Sequence, residues 1–239
     1  MSYIISISFV LVTLYLLLRN RQYTLPLDKM LFKILFYEIL ATILVSILSF
    51  FLENPINTLF PPHSLANLLG ENFLAVAPFE ELAKFIPVYL ATHRFKKLRH
   101  KEDVVLYLIF SSCIFSTIEN LLYTYIYDGD YALAFLRNFV STPCHLFYSI
   151  IFGFFCMLYL QHSTYKWGYL LQGLFFSSFF HAFMNFCLCF YSFTTSFLGL
   201  IFASIALCTF YFLGFTLLKR HLEKAIHTIQ LLEAEEASL

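Results

Sequence analysis

The sequence predicts an all-α, polytopic integral membrane protein: a bundle of about seven transmembrane helices, N-terminus outside and C-terminus inside. Three observations predict it. Hydrophobic residues make up 60% of the 239 positions and aromatics 20%. Charged residues are only 13%, about half the ~25% of a soluble domain. Apolar runs of the ~20-residue length that crosses a bilayer recur along the chain, and the basic residues between them fall into alternate loops. Formal net charge is zero, which leaves no basic surface for nucleic acid; the partner that composition implies is the lipid bilayer.

The spans are expected at 2–18, 31–52, 72–92, 104–127, 138–161, 168–191 and 195–218. The first has no basic residues before its apolar run and no small-residue cleavage pattern after it, so it reads as a retained span and not a removed signal. The fifth is expected to begin bent or re-entrant, because Pro143 in YALAFLRNFVSTP has no amide hydrogen for the preceding turn. Connections are short, with no linker or repeat, so 1–218 reads as one membrane domain with a motif-bearing core at about 72–191. The tail, 219–239, places Leu222, Ile226, Ile229 and Leu232 near helical spacing, as a cytoplasmic amphipathic helix or a solvated charged end.

Basic residues set the sidedness. Arg19, Arg21, Lys29 and Lys33 lie at the first loop, and Arg94, Lys96, Lys97, Arg99 and Lys101 follow span three. Lys166 marks loop five, and Lys219, Arg220 and Lys224 mark the tail. The alternate loops hold Glu53, Glu71, Asp128 and Asp130 instead. Of the 15 lysines and arginines, Lys84 and Arg137 alone are not used by this topology.

Ionisable groups at bilayer depth are costly and mark a functional site by default. The buried set is Glu38, Glu80, Glu81, Lys84, Glu119, Arg137, His145 and His181, accompanied by Asn120, Tyr123 and Asn185. At 1.5 Å per residue, Glu80, Glu119, His145 and His181 all fall ~10–15 Å below the outer end of their spans. Four helices thus supply one polar layer. Glu80 and Lys84 are i,i+4 and Glu81 reaches Lys84 at i,i+3, so the lysine can neutralise one carboxylate. The second carboxylate is left for a proton or another partner, which suits a general base. Glu119 with Tyr123, and His181 with Asn185, share helix faces in the same way. Arg137 and His145 are eight apart, ~80° off one face of a regular helix. Glu38 has no motif around it and reads as a packing or snorkelling residue.

This inventory suits hydrolysis: a carboxylate to activate water, histidines to hold a metal or an oxyanion, an asparagine to donate. It contains no HExxH zinc motif and no GxSxG elbow. Two other classes use the same features: a non-catalytic membrane scaffold of this fold, and a transporter whose pathway is the polar layer. The cysteines, Cys113, Cys144, Cys156, Cys187, Cys189 and Cys208, lie in apolar stretches without a CxxC pair and read as small buried hydrophobes.

Four pieces in order, PFEELAK (Glu80, Glu81, Lys84), STIENLLY (Glu119, Asn120, Tyr123), Arg137 followed by His145, and HAFMN (His181, Asn185), carry a resemblance. Together they resemble the PrsW family of intramembrane proteases, related to the CAAX-prenyl and bacteriocin-processing proteases. The resemblance covers about 78–185. It implies a multi-span endopeptidase that cuts a membrane-embedded or membrane-associated protein or peptide near the outer face of a bacterial cytoplasmic membrane. It implies catalytic roles for Glu80, Glu81, Lys84, Glu119, His145, His181 and Asn185, with Asn120, Tyr123 and Arg137 in support. A divalent metal such as zinc would sit on His145, His181 and Glu119; the alternative is water activated by a glutamate alone. Asn120 and Asn185 would donate to the tetrahedral intermediate, and Arg137 would pair with Glu119. The chain departs from the family pattern at SSCIFSTI, where glycines and alanines are usual, and at Met184, where an aromatic is common.

Overall fold

The computed structural model describes residues 1–19, 29–62, 64–98, 100–161 and 166–193. Among them every regular element is helical. They comprise α1 (Ser2–Arg19), α2 (Lys29–Leu59), α3 (Leu65–Gly70), α4 (Ala77–Ala91), α5 (Asp103–Ile126), α6 (Tyr131–Leu136), α7 (Thr142–Gln161) and α8 (Lys166–Phe193). Two wide-turn π segments, Glu71–Val76 and Arg137–Ser141, join α3 to α4 and α6 to α7 without a break. The expected span at 195–218 and the tail at 219–239 lie outside the described residues. Chain packing divides after Phe183 into two units, and α8 runs across the division.

The burial pattern is that of a protein in lipid. Large apolar side chains face outward, among them Phe32, Phe36, Leu44 and Phe51 on α2 and Leu171 and Phe175 on α8. Polar ones face inward: Glu38, Thr42, Ser111, Ser112, Ser116 and Thr124 are all buried. Exposed apolar surface on this scale is foreign to a soluble monomer. Among the described residues, four helical runs are long and apolar enough to cross a membrane: Met30–Leu59, Asp103–Ile126, Tyr131–Gln161 and Trp167–Cys189. The continuous run from Leu65 to Ala91 carries Glu71, Glu80, Glu81 and Lys84, so it does not read as a purely apolar span.

Several boundaries differ from the sequence expectation. Helix α2 has 31 residues and retains Pro55, so at ~46 Å it outruns a ~30 Å hydrocarbon core. Its polar end is anchored where Asn67 Nδ2 donates to Asn57 Oδ1 at 2.8 Å. The fifth span begins at Tyr131, not near 138, and is helical throughout. Asp130 caps its first turn by accepting from the amides of Ala132 and Leu133 at 2.8 and 3.1 Å. The Arg137–Ser141 π segment ends two residues before Pro143, where a wider turn accommodates a residue that cannot donate. The Glu71–Val76 segment stands in the same relation to Pro78.

Close helix contacts use glycine, as membrane helix pairs commonly do. A Cβ on Gly153 of α7 would stand 3.0 Å from the Val105 Cα of α5. One on Gly173 of α8 would stand 2.8 Å from the Phe152 and Phe155 side chains of α7. The basic loop after α4 turns through three consecutive left-handed residues, His93, Arg94 and Phe95. Phe95 is buried there, its ring against Phe85, Tyr89 and Tyr159. Its amide donates to Thr92 Oγ1 at 3.2 Å.

Candidate active site

Helices α4, α5, α7 and α8 bring the expected residues together. Glu81 and Lys84 are wholly enclosed, with side chains 0% and 1% exposed, and Lys84 Nζ donates to Glu81 Oε1 at 2.6 Å. Of the two adjacent carboxylates, therefore, the lysine takes Glu81. His181 Nδ1 lies 2.8 Å from the same Oε1. Lys84 Nζ also lies 2.9 Å from His145 Nδ1, and the rings of Phe115 and Tyr148 enclose it at 4.9 and 5.9 Å. The two imidazoles meet edge to face, centroids 4.9 Å apart, and Tyr148 stacks on His181 at 4.9 Å.

Glu119 completes the cluster from α5. Its Oε2 lies 3.0 Å from His145 Nε2, and its Oε1 pairs with Arg137 Nη2 at 2.6 Å. The guanidinium also lies over the Tyr123 ring, 3.8 Å from the centroid, a cation–π contact. The π segment explains how residues eight apart serve one partner. A π turn takes in about one extra residue, so the spacing acts as seven, and the ~80° offset closes to ~20°. Glu80 is set apart from its neighbour. It is 13% exposed, its Oε2 lies 3.5 Å from His181 Nε2, and that oxygen has no hydrogen-bond partner among the described residues.

Hydrogen positions follow from the partners. Glu81 Oε1 accepts, so His181 Nδ1 carries the hydrogen and Nε2 is bare. That bare nitrogen faces the unpartnered oxygen of Glu80, an arrangement completed by a proton or a cation between them. Glu80, His145 and His181 each offer one donor atom, all within 4.8 Å of one another. Two histidines and a glutamate are a donor set of hydrolytic zinc sites, and a carboxylate behind a ligating histidine, as Glu81 stands behind His181, is their usual support. The residues present thus fit a divalent ion. The convergent carboxylate is Glu80, where the sequence suggests Glu119. His145 offers Nε2 as a donor only when its ring hydrogen sits on Nδ1, facing Lys84; with Lys84 donating, Nε2–H faces Glu119.

Asn120 is buried and fully engaged. Its Nδ2 donates to the Ser6 carbonyl at 3.0 Å and to Thr142 Oγ1 at 2.9 Å, and its Oδ1 accepts from Arg137 Nε at 3.2 Å. Asn185 stands one turn beyond His181 on α8, half-buried, in the second unit.

Two residues near the cluster are not singled out by the motifs. Glu38 on α2 is 0% exposed, so its carboxyl does not snorkel to an interface. It is held by the Ser111 hydroxyl, which also lies 2.9 Å from the Lys84 carbonyl. The signal in the sequence is the serine pair of SSCIFSTI, which stands where small apolar residues suffice for packing alone.

The sequence model of the family described as "PrsW family intramembrane metalloprotease" matches residues 30–216. No curated protein and no solved structure matches the chain.

Proposed function

This chain belongs to the PrsW family of intramembrane metalloproteases, and we propose that it hydrolyses a peptide bond within a membrane-embedded substrate, with Glu80 as the group that meets the water. The observation that carries this reading is the asymmetry of the glutamate pair. Glu81 is enclosed between Lys84 and His181. Each glutamate keeps one oxygen without a hydrogen-bond partner among the described residues, but only Glu80 has any exposure, 13% against 0%.

In this reading Glu80 accepts the proton of the attacking water and returns it to the leaving amine. Glu81 and Lys84 fix the His181 ring, its hydrogen on Nδ1 and its lone pair turned to the reaction. His145, with Lys84 at Nδ1 and Glu119 at Nε2, holds that carboxylate against the cluster as a positioning residue. Arg137 holds Glu119 in place, and Tyr123 holds Arg137. Asn120, with both amide hydrogens committed, acts as a positioning residue between α1, α5 and α7 and not as an oxyanion donor. In the alternative arrangement, with the His145 hydrogen on Nδ1, Glu80, His145 and His181 would hold a divalent ion, which would polarise the scissile carbonyl and lower the pKa of bound water to about 7.

The topology that accompanies this function is seven spans, N-terminus outside, in a bacterial cytoplasmic membrane, with the site in the outer half. Its support is the alternation of basic loops and the common depth of the four motifs. Labelling of a cysteine placed at 94–101 by an impermeant reagent is expected to fail from outside; success inverts this topology.

The decisive experiment is cleavage of single-span peptides by the purified chain in proteoliposomes. Glu80→Gln is expected to lower kcat roughly 10²–10⁴-fold, the range of a lost general base. Cleavage at the wild-type rate ends this assignment. Chelation followed by zinc add-back separates the two mechanisms: restored activity assigns the ion, and activity indifferent to chelator assigns glutamate-activated water.

A further inference from the structure

Beside the cluster lies an apolar groove of about 280 Å³, formed by α8 and the run that leads into α4. Phe73 and Pro78 form one wall, and Leu174, Phe175, Ser178 and Phe179 the other. The walls meet where Phe73 packs edge-on against Phe179, centroids 5.8 Å apart. Phe175 is 63% exposed, so in a bilayer this side opens laterally toward lipid. Position ties the groove to the chemistry through α8, where Ser178 precedes His181 by one turn, a spacing that makes them neighbours on the helix surface.

Ser178 is the informative residue. It is 8% exposed, and its hydroxyl has no hydrogen-bond partner among the described residues. Its neighbour Ser177 bonds back to the Leu174 carbonyl at 3.2 Å, the ordinary resort of a helical serine. Ser178 instead brings an unmatched hydroxyl to an apolar lining. A buried unpaired hydroxyl costs free energy until something pairs with it. A lipid acyl chain has no polar atom to offer. A helical peptide has none either, because its amides and carbonyls are paired internally. An unwound stretch of peptide offers both an apolar side chain and a free backbone group.

We propose that this groove is the subsite for an apolar side chain of the substrate next to the scissile bond, with Ser178 Oγ hydrogen-bonded to the unwound substrate backbone. The inference rests on the peptidase reading and adds the class of residue selected and the local unwinding. The volume lies just under the ~300–1,000 Å³ of a drug-sized ligand site, which suits one or two side chains.

The test uses the full chain in proteoliposomes and single-span peptides that carry Ala, Leu or Phe at one varied position. A photo-crosslinking amino acid replaces Leu174 in the Glu80→Gln background, and a control replaces Tyr125, 74% exposed on α5. Crosslinks to peptide are expected at 174, competed by unlabelled peptide, and not at 125. In cleavage, Leu174→Trp is expected to reduce the preference for Leu over Ala about tenfold or more, within the range of a hydrophobic pocket. Ser178→Ala is expected to lower kcat/KM roughly 3- to 10-fold for every peptide alike. Crosslinks at 174 that go only to labelled lipid at saturating peptide, or a Leu/Ala preference unmoved by Leu174→Trp, overturn the subsite. Crosslinking to peptide without Glu80-dependent cleavage overturns the peptidase reading and leaves the groove a peptide-binding site. Loss of both overturns both.

Discussion

Two polar networks lie inside this bundle, and they are built on opposite rules. The first joins α1 to α5, the Arg137–Ser141 segment and α7. Ser6 Oγ meets Thr124 Oγ1 at 2.6 Å, and Asn138 Nδ2 donates to Ser8 Oγ at 2.9 Å. Ser2 donates to the Gly129 carbonyl at 2.6 Å, and Asn120 spends both amide hydrogens on Ser6 and Thr142. It is made of hydroxyls and amides, and each has a partner. The second network joins α4, α5, α7 and α8. It holds three carboxylates, two imidazoles, a lysine and an arginine, and oxygens of Glu80 and Glu81 are left without hydrogen-bond partners. In a bilayer an unmatched polar group has no water to fall back on. A satisfied network is therefore adhesive, whereas the second keeps buried polar atoms without a partner among the described residues. Arg137 belongs to both: its Nε reaches Asn120 and its Nη2 reaches Glu119.

The contrast can be broken from either side. Lys84→Met carries the largest expected effect. It leaves Glu81 enclosed without its cation, and losing one partner of a buried pair costs about 3–5 kcal/mol. Thermal unfolding in detergent should show it, and Glu81→Gln added to Lys84→Met should recover part of the loss while activity stays absent. If Lys84→Met unfolds like wild type, the lysine is not the partner that makes a buried Glu81 tolerable.

Asn120→Leu comes next. It removes three contacts of the adhesive network at about 1–2 kcal/mol, and it frees Arg137 Nε. Stability is expected to fall clearly and kcat by less than tenfold. A kcat loss as large as that of Glu80→Gln would move Asn120 into the chemistry. Ser6→Ala is the mildest, at about 0.6 kcal/mol, the average of polar pairs between membrane helices. Cleavage by this variant should match wild type.

Much of the site is legible in the sequence, because membrane burial makes every ionisable residue conspicuous. Glu80, Glu119, His145 and His181 can be placed in one layer from span ends and rise per residue alone, and they do converge. The Arg137–Glu119 pair follows from a cation that no loop accounts for. What local spacing leaves undecided is the partner of Lys84. Both i,i+3 and i,i+4 are in reach, and the choice of Glu81 is made by His181, a hundred residues away. Glu38 is hidden for the same reason: its bond to Ser111 joins α2 to α5 and has no local pattern. The engagement of Asn120 is equally tertiary. The π segments are local, yet their signal is only a proline two residues downstream.

Those two segments have a consequence for comparing and editing this chain. Removing one residue from Arg137–Ser141 would let an ordinary α turn replace the wide one and leave the helix whole, with Arg137 and His145 in nearly their present phase. The guanidinium would stay on the side of Glu119 while the length of the span barely changed. A one-residue gap at 137–141, or at 71–76, is therefore nearly neutral in helical phase, whereas the same gap in an ordinary α stretch turns one end by ~100° against the other. In an alignment of chains built this way it should be scored as a regularised turn and not as a rotated face.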